Sequence, residues 1–318
     1  MIKATQLSEI QVLPSRSAKH PRYNRMTNEE KGAYCKAQQN KAANGNNKGQ
    51  KVKGCYFLGK DVKSNKDILH ITSNANIMVT NTLDNGKGRV SKIVVRYLDK
   101  DNTTVSAFVQ SAGKIAKRWE KEKDNSCQRK TIRGLMTSFG VWKGAGDRDH
   151  FAYGPTSSDL KGTGKKWRGV NKEHRDLNVA AREIAMDNFK EAHKSIRSAM
   201  RKNDKIVPDF LGGRNGECME MVQSQHNLVT EAHLDMDHSK CFSIWTVREG
   251  PQADTEGWYF VLPYLKGTYY GKTYKGIAIE LRHCVGIEWD GRNIFHCSTA
   301  PLKKKINVYG TFFGITQY

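Results

Sequence analysis

EAHLDMDHSKCFSIWTV, residues 231–247, is the stretch on which the fold turns. From Cys241 onward it is a short apolar run rich in β-favouring residues, the pattern of a buried strand. Just before that run stand His233, Leu234 and Asp235. Residues i and i+2 of a strand share a face, so this spacing points an imidazole and a carboxylate the same way. Similar short runs lie on both sides: MEMVQSQ from Met219, GWYFVLPYL from Gly257, GIAIELRH from Gly276, VGIEWDG from Val285, NIFHCS from Asn293 and INVYGTFFGITQ from Ile306. Turn signals separate them at Arg248–Gly257, Lys266–Lys275, Asp290-Gly291 and Ala300–Lys305. Many short strands at this spacing predict a sandwich or jelly roll.

Upstream, residues 173–202 repeat Leu177, Ala181, Ile184, Ala185, Phe189, Ala192, Ile196 and Met200 at helical spacing, which predicts one long amphipathic helix. Residues 131–170 mix glycine, aromatic rings and positive charge, with Trp142, Arg148, Lys165, Lys166, Trp167 and Arg168 as candidate nucleic-acid contacts. Rings among cations suit base stacking with phosphate neutralisation, although the same rings can simply pack beneath loops. Residues 111–128 read as a short charged helix. Residues 67–110, including TTVSAFVQ from Thr103, read as short strands of a small antiparallel sheet. Residues 1–60 carry twelve Lys/Arg against three Glu, and a segment so polar cannot offset its ordering entropy by burial. The expected organisation is a basic, poorly ordered arm over 1–60, a small β-rich lobe or extension over 61–130, and a jelly-roll domain over 131–318 with its core in 218–318. The fold class is α+β, mainly β: a double-stranded β-helix (jelly roll) core, a supporting helix and a basic N-terminal extension.

The 318 residues carry a formal net charge of +21. A field of that sign attracts polyanions, and nucleic acid is the expected partner, DNA in preference to RNA. No apolar run reaches the length of a membrane span, and the N-terminus lacks the apolar stretch of a secretory signal. An intracellular protein is expected, nuclear if the organism is eukaryotic. Seven cysteines, widely spaced and without a C-x-x-C pair, suggest neither a disulfide framework nor a cysteine zinc site.

The chemistry gathers near the C-terminus. His233-x-Asp235 is followed by strands and then by Trp289-Asp290-Gly291 with His296 five residues further on. Strands distant in sequence pair in a jelly roll, so the two motifs can meet. Two histidines and one carboxylate on one face of an octahedron leave three positions open, the ligand set of non-haem Fe(II) oxygenases. Structural zinc would close all four of its positions. Asp237, His238 and His283 are the competing ligands; Asp237 shares the face of Asp235 and suits an outer, supporting role.

The stretch Glu231–Thr299, with EAHLDMDHSKCFSIWTV, GWYFVLPYL and GIAIELRHCVGIEWDGRNIFHCST, resembles the TET/JBP-like Fe(II)-dependent dioxygenases, in an algal- or protist-like branch. The resemblance spans roughly Cys218 to Tyr318. It implies His233, Asp235 and His296 as iron ligands, Fe(II) with 2-oxoglutarate as cofactors, and oxidation of a pyrimidine methyl group, 5-methylcytosine first among them, in nucleic acid. Members that use 2-oxoglutarate carry an arginine about ten residues past the distal histidine, where its fork grips the far carboxylate. Cys297–Tyr309 has none. Lys305 or Arg282 would then supply the charge, or ascorbate replaces 2-oxoglutarate. Two other readings share these residues: an Fe(II) hydroxylase of a protein or small molecule on the same fold, and a nucleic-acid-binding protein with a vestigial site.

Overall fold

Alternating and continuous apolar runs build most of this chain into strands. The computed structural model describes residues 2–6, 56–81, 89–121, 128–130, 133–143, 151–153, 171–201, 220–235, 240–303 and 305–314. In chain order the elements are β1 (Ile2–Gln6), α1 (Gly59–Ser64), β2 (Ile68–Ile71), β3 (Ala75–Asn81), β4 (Arg89–Tyr97), α2 (Thr103–Lys121), β5 (Gln128–Lys130), β6 (Arg133–Lys143) and β7 (Phe151–Tyr153). Then follow α3 (Asn171–Asn188), α4 (Lys190–Arg201), β8 (Glu220–Val229), β9 (Cys241–Val247), β10 (Tyr259–Leu262), β11 (Leu265–Tyr269), β12 (Lys272–Tyr274), β13 (Gly276–Glu280), β14 (Val285–Trp289), β15 (Cys297–Ser298) and β16 (Val308–Gly314).

Among the described residues the strands form two mixed sheets. The large one runs β12-β11-β1-β3-β4-β14-β9-β16-β8-β6-β5, with β7 beside β6; the small one runs β15-β10-β13-β2. They share one apolar core. Ile77, Val79, Ile93, Val95, Trp245, Ile287 and Trp289 of the large sheet pack against Leu69, Ile71, Phe260, Leu262, Ile277 and Ile279 of the small one. The outer face of the large sheet, through Val94, Phe242, Ile244 and Phe313, is covered by α2, α3 and α4. The outer face of the small sheet is covered by Phe57 and Val62 around α1 and by Ala232, Leu234 and Phe295. The centres of both sheets are thus buried on both faces, which explains why β9, β10 and β14 are fully buried runs and do not alternate with polar residues.

Three expectations change. TTVSAFVQ is not a strand but the first half of α2. The Asn102 side-chain carbonyl accepts the Thr104 and Val105 N–H groups, an N-cap. Val105, Phe108, Ala112, Ile115 and Ala116 then line the buried stripe, so tertiary packing overrides the β-branched start. The long helix over 173–202 is two helices, α3 and α4, broken at Phe189. The Phe189 ring sinks onto Gly286, where a Cβ would meet its Cζ at 2.4 Å, and stacks on Phe242 at 5.6 Å. The glycine-rich 131–170 region contains two strands, β6 and β7.

The first residues of the stretch expected as a basic arm, Ile2–Gln6, are a strand between β11 and β3. The strands of 61–130 belong to the same two sheets as the C-terminal region: β4 pairs with β14 and β2 with β13. Among the described residues no helix is long and apolar enough to cross a membrane.

Candidate metal centre

His233 and His296 face each other across an antiparallel bridge. Each backbone N–H donates to the other's carbonyl, at 3.0 and 3.1 Å. The bridge adds the 230–235 segment to the small sheet on the free side of β15. Thr230 and Ser298 continue it: the Ser298 N–H donates to the Thr230 hydroxyl at 3.1 Å, and the Ser298 hydroxyl donates to the Leu228 carbonyl at 3.1 Å. Alternation does the rest. Ala232, Leu234, Phe295 and Cys297 enter the outer apolar cluster, which leaves His233, Asp235 and His296 on the opposite face.

Asp235 is held by its own backbone, whose N–H donates to the Gly291 carbonyl at 2.8 Å. Gly291 lies in a tight turn closed by Asn293 and Ile294 N–H bonds to the Asp290 carbonyl. The Asp290 carboxylate accepts the Asn293 amide at 2.9 Å and the Ser91 hydroxyl at 3.4 Å. The Trp-Asp-Gly sequence therefore builds the turn that aims both Asp235 and His296.

Both rings are oriented by main-chain oxygen. His233 Nδ1 lies 2.7 Å from the Glu231 carbonyl and His296 Nδ1 lies 3.0 Å from the Ile294 carbonyl. A carbonyl only accepts, so each Nδ1 is the protonated nitrogen, and each Nε2 is turned to the centre. There they meet the carboxylate, His233 at 3.4 Å and His296 at 3.1 Å. One ligand atom from each of the three residues falls within 4.8 Å of the others. The rings lie 4.4 Å apart, and Phe260 stacks on His296 at 5.4 Å while Trp289 meets it edge-on at 5.3 Å.

Burial alone would push the Asp235 carboxyl up, but His296 and His233 hold it well below the usual carboxylate range. Burial would likewise push His296 down, and the Asp235 charge overcomes it and raises His296. The negative charge that draws a proton to His296 suits a divalent cation equally. The donor set fits Fe(II): two imidazole Nε2 atoms and one carboxylate, with no fourth donor in the cluster among the described residues. Side-chain exposure falls from 26% at Asp235 through 15% at His233 to 3% at His296, so the open side is that of Asp235.

The other predicted site residues that the structure describes lie elsewhere. Arg282 is exposed; it sits 4.2 Å over the Tyr97 ring and donates to the Thr72 carbonyl at 3.4 Å. Lys305 is exposed in the turn before β16. His283 accepts the Val247 N–H at Nδ1 and stands outside the three-residue cluster. Trp142 is on β6; its side chain, and Arg148, Lys165, Lys166, Trp167, Arg168, Asp237 and His238, lie outside the described residues. Sequence reasoning missed Asp290, whose place in W-D-G was the available signal, and the Glu231 and Ile294 carbonyls, which leave none because every residue has one. It also missed three buried groups without a hydrogen-bond partner near this core, Ser243 Oγ, Trp245 Nε1 and Trp289 Nε1.

No family model matches the chain, and no curated protein does. Several solved structures are similar to it. NgTET1 in complex with 5mC DNA shares 7% identity over 79% of this chain and 83% of that one, with a TM-score of 0.44. A 2OG-Fe(II) oxygenase family oxidoreductase from Burkholderia pseudomallei shares 9% over 70% and 84%, with a TM-score of 0.33. JOX2 in complex with 2OG, Fe and JA shares 8% over 79% and 75%, with a TM-score of 0.32.

Proposed function

We propose that this chain is a non-haem Fe(II)-dependent dioxygenase, with a double-stranded β-helix core, that oxidises the methyl group of a pyrimidine in nucleic acid, 5-methylcytosine first. The observation that carries the reading is the convergence of His233 Nε2, Asp235 and His296 Nε2 on one point, with each Nδ1 tied to a main-chain carbonyl. Fe(II) held there would supply O2 activation, and three ligands leave it room for O2 and a cosubstrate. The residues around it do the protein's share. The Glu231 and Ile294 carbonyls fix the tautomers, the Asp290 turn sets the carboxylate, and Phe260 and Trp289 exclude water from the His296 side. The net charge of +21 supports a polyanionic substrate over a small acid. A base stacked inside a duplex cannot reach such a pocket, so the target is flipped out or single-stranded.

The cosubstrate is 2-oxoglutarate or ascorbate. The face of β16 toward the inter-sheet core, Val308, Gly310 and Phe312, offers no guanidinium to a distal carboxylate, which keeps ascorbate beside 2-oxoglutarate. The test is direct. Protein, Fe(II), O2 and each cosubstrate are incubated with methylated and unmethylated DNA, which is digested for nucleoside mass spectrometry. Loss of 5-methylcytosine with one cosubstrate, abolished in His233→Ala, is expected. Unchanged 5-methylcytosine and thymine under every condition would overturn the reading.

A further inference from the structure

The small sheet has a second site at its other edge. From β15 to β2 is three strand spacings, about 14 Å at ~4.8 Å each. There a cavity of about 550 Å³ is lined by His70, Thr72, Asn74, Asn76, Arg96 and Tyr269, among others. Arg96 is half-buried, and its guanidinium donates to the Ala75 carbonyl at 3.2 Å, the Val95 carbonyl at 2.8 Å and the Asn76 side-chain oxygen at 3.1 Å. All three partners are neutral, and among the described residues no carboxylate lies within ion-pair distance of it. A guanidinium keeps its charge under any partial burial, so a charge without a counter-ion is aimed at a site where an anion fits. Arg282 is bound to the carbonyl of Thr72, another of the cavity-lining residues.

The β11–β12 hairpin rises next to this cavity. Tyr270 at its tip is 90% exposed and holds a left-handed backbone, φ 47°. A large aromatic residue in that conformation is strained and contributes nothing to the core from there. Its ring meets Tyr269, a cavity-lining residue, at 4.4 Å and 62°. Lys266 and Lys272 flank the pair, both exposed, and Lys272 lies 4.9 Å over the Tyr274 ring.

We propose that this cavity and hairpin bind a nucleic-acid strand, with Arg96 taking a backbone phosphate, Arg282 adding charge beside it, and Tyr270 with Tyr269 stacking on bases. Rings beside cations at the mouth of a groove are what single strands recognise, since every base has a face to stack and every link a charge. An acidic peptide would use the cations and leave the exposed Tyr270 unexplained. The inference shares with the proposed function its nucleic-acid partner, but not its iron.

Fluorescence anisotropy of the full-length, metal-free protein with a labelled single-stranded oligodeoxyadenylate, which has no pyrimidine methyl group, over a salt series, tests it. Tyr270→Asn tolerates the left-handed backbone and removes the ring. It is expected to weaken binding about 5-fold or more with the salt slope unchanged. Arg96→Gln is expected to lower the slope by about 0.7, the loss of one phosphate contact to a single strand, and Arg96→Lys to restore it. Heparin, a polyanion without bases, should not respond to Tyr270→Asn. The metal-free protein has no oxygenase activity to lose, so a failed oxygenase assay and a failed binding site are told apart. Wild-type affinity and slope in both Tyr270→Asn and Arg96→Gln would overturn the proposal, as would equal losses of heparin and oligonucleotide binding in Tyr270→Asn.

Discussion

At the scale of single residues the site is a problem in orientation. An imidazole free to rotate presents either nitrogen to a metal. Here two main-chain carbonyls two residues upstream, Glu231 for His233 and Ile294 for His296, make the choice. The third ligand must therefore supply the charge, and Asp235 does so from between the two Nε2 atoms. Asp235→Asn keeps the shape and removes the charge. Its affinity for Fe(II) or Mn(II), measured by anaerobic titration calorimetry, is expected to fall more than ~100-fold, beyond the 10–100-fold typical of outer-shell losses. A milder result would mean that another carboxylate serves the metal. The clustering of His233, Asp235 and His296 was legible in the sequence because H-x-D on a strand and a later histidine are statements about side chains with period two. The carbonyls were not, because backbone oxygen has no letter.

At the scale of elements the strands were legible and the helices less so. Apolar runs such as CFSIWTV and YFVL declare themselves because both faces of their sheets are covered. The Thr103–Gln110 segment misleads because its β-branched start is outweighed by the Asn102 cap and the buried Phe108. The break at Phe189 is invisible because its cause, the missing side chain of Gly286, lies on a strand far along the chain. A second long-range link joins the same layers: the buried Glu288 of β14 accepts the Ala192 N–H near the start of α4 at 2.8 Å. The carboxylate suits that helix end, yet burial raises its pKa above the ordinary value. A carboxyl raised in the folded state binds protons there that the unfolded chain has released, so stability falls as pH rises through the unfolded value, about 4.3, and on to the folded one. Glu288→Gln keeps an acceptor for Ala192 and removes the buried charge. Thermal unfolding is expected to show a higher Tm than wild type at pH 7, by a few degrees, with the gap closing below about pH 4. A lower Tm at pH 7 would show that the charged cap outweighs its burial.

At the scale of the whole molecule the question is what the core around His233, Asp235 and His296 needs in order to fold. The sequence suggests that residues 218–318 form a core and that 61–130 are a lobe or an extension of it, because the strand signals cluster and the composition changes between them. Pairing across long sequence separations is what composition cannot show. β14 carries the turn toward His296, and its other edge is covered by β4, Val285–Glu288 against Tyr97–Val94. β13 is covered by β2, Gly276–Ile279 against Ile68–Ile71. A fragment of residues 131–318 would open both edges to solvent and strip Leu69, Ile71, Ile77, Val79, Ile93 and Val95 from the inter-sheet core. Open edges invite pairing with other chains, and burial at ~25 cal/mol per Å² makes six lost aliphatic side chains comparable to the whole net stability of a typical domain. The fragment is therefore expected to aggregate or to melt without cooperativity in circular dichroism, and to bind no Fe(II), whereas co-expression with residues 1–130 restores a soluble, metal-binding complex. A cooperative melt and stoichiometric iron in the isolated fragment would show that the triad's bridge, the Asp290 turn and the remaining strands suffice without β1–β4.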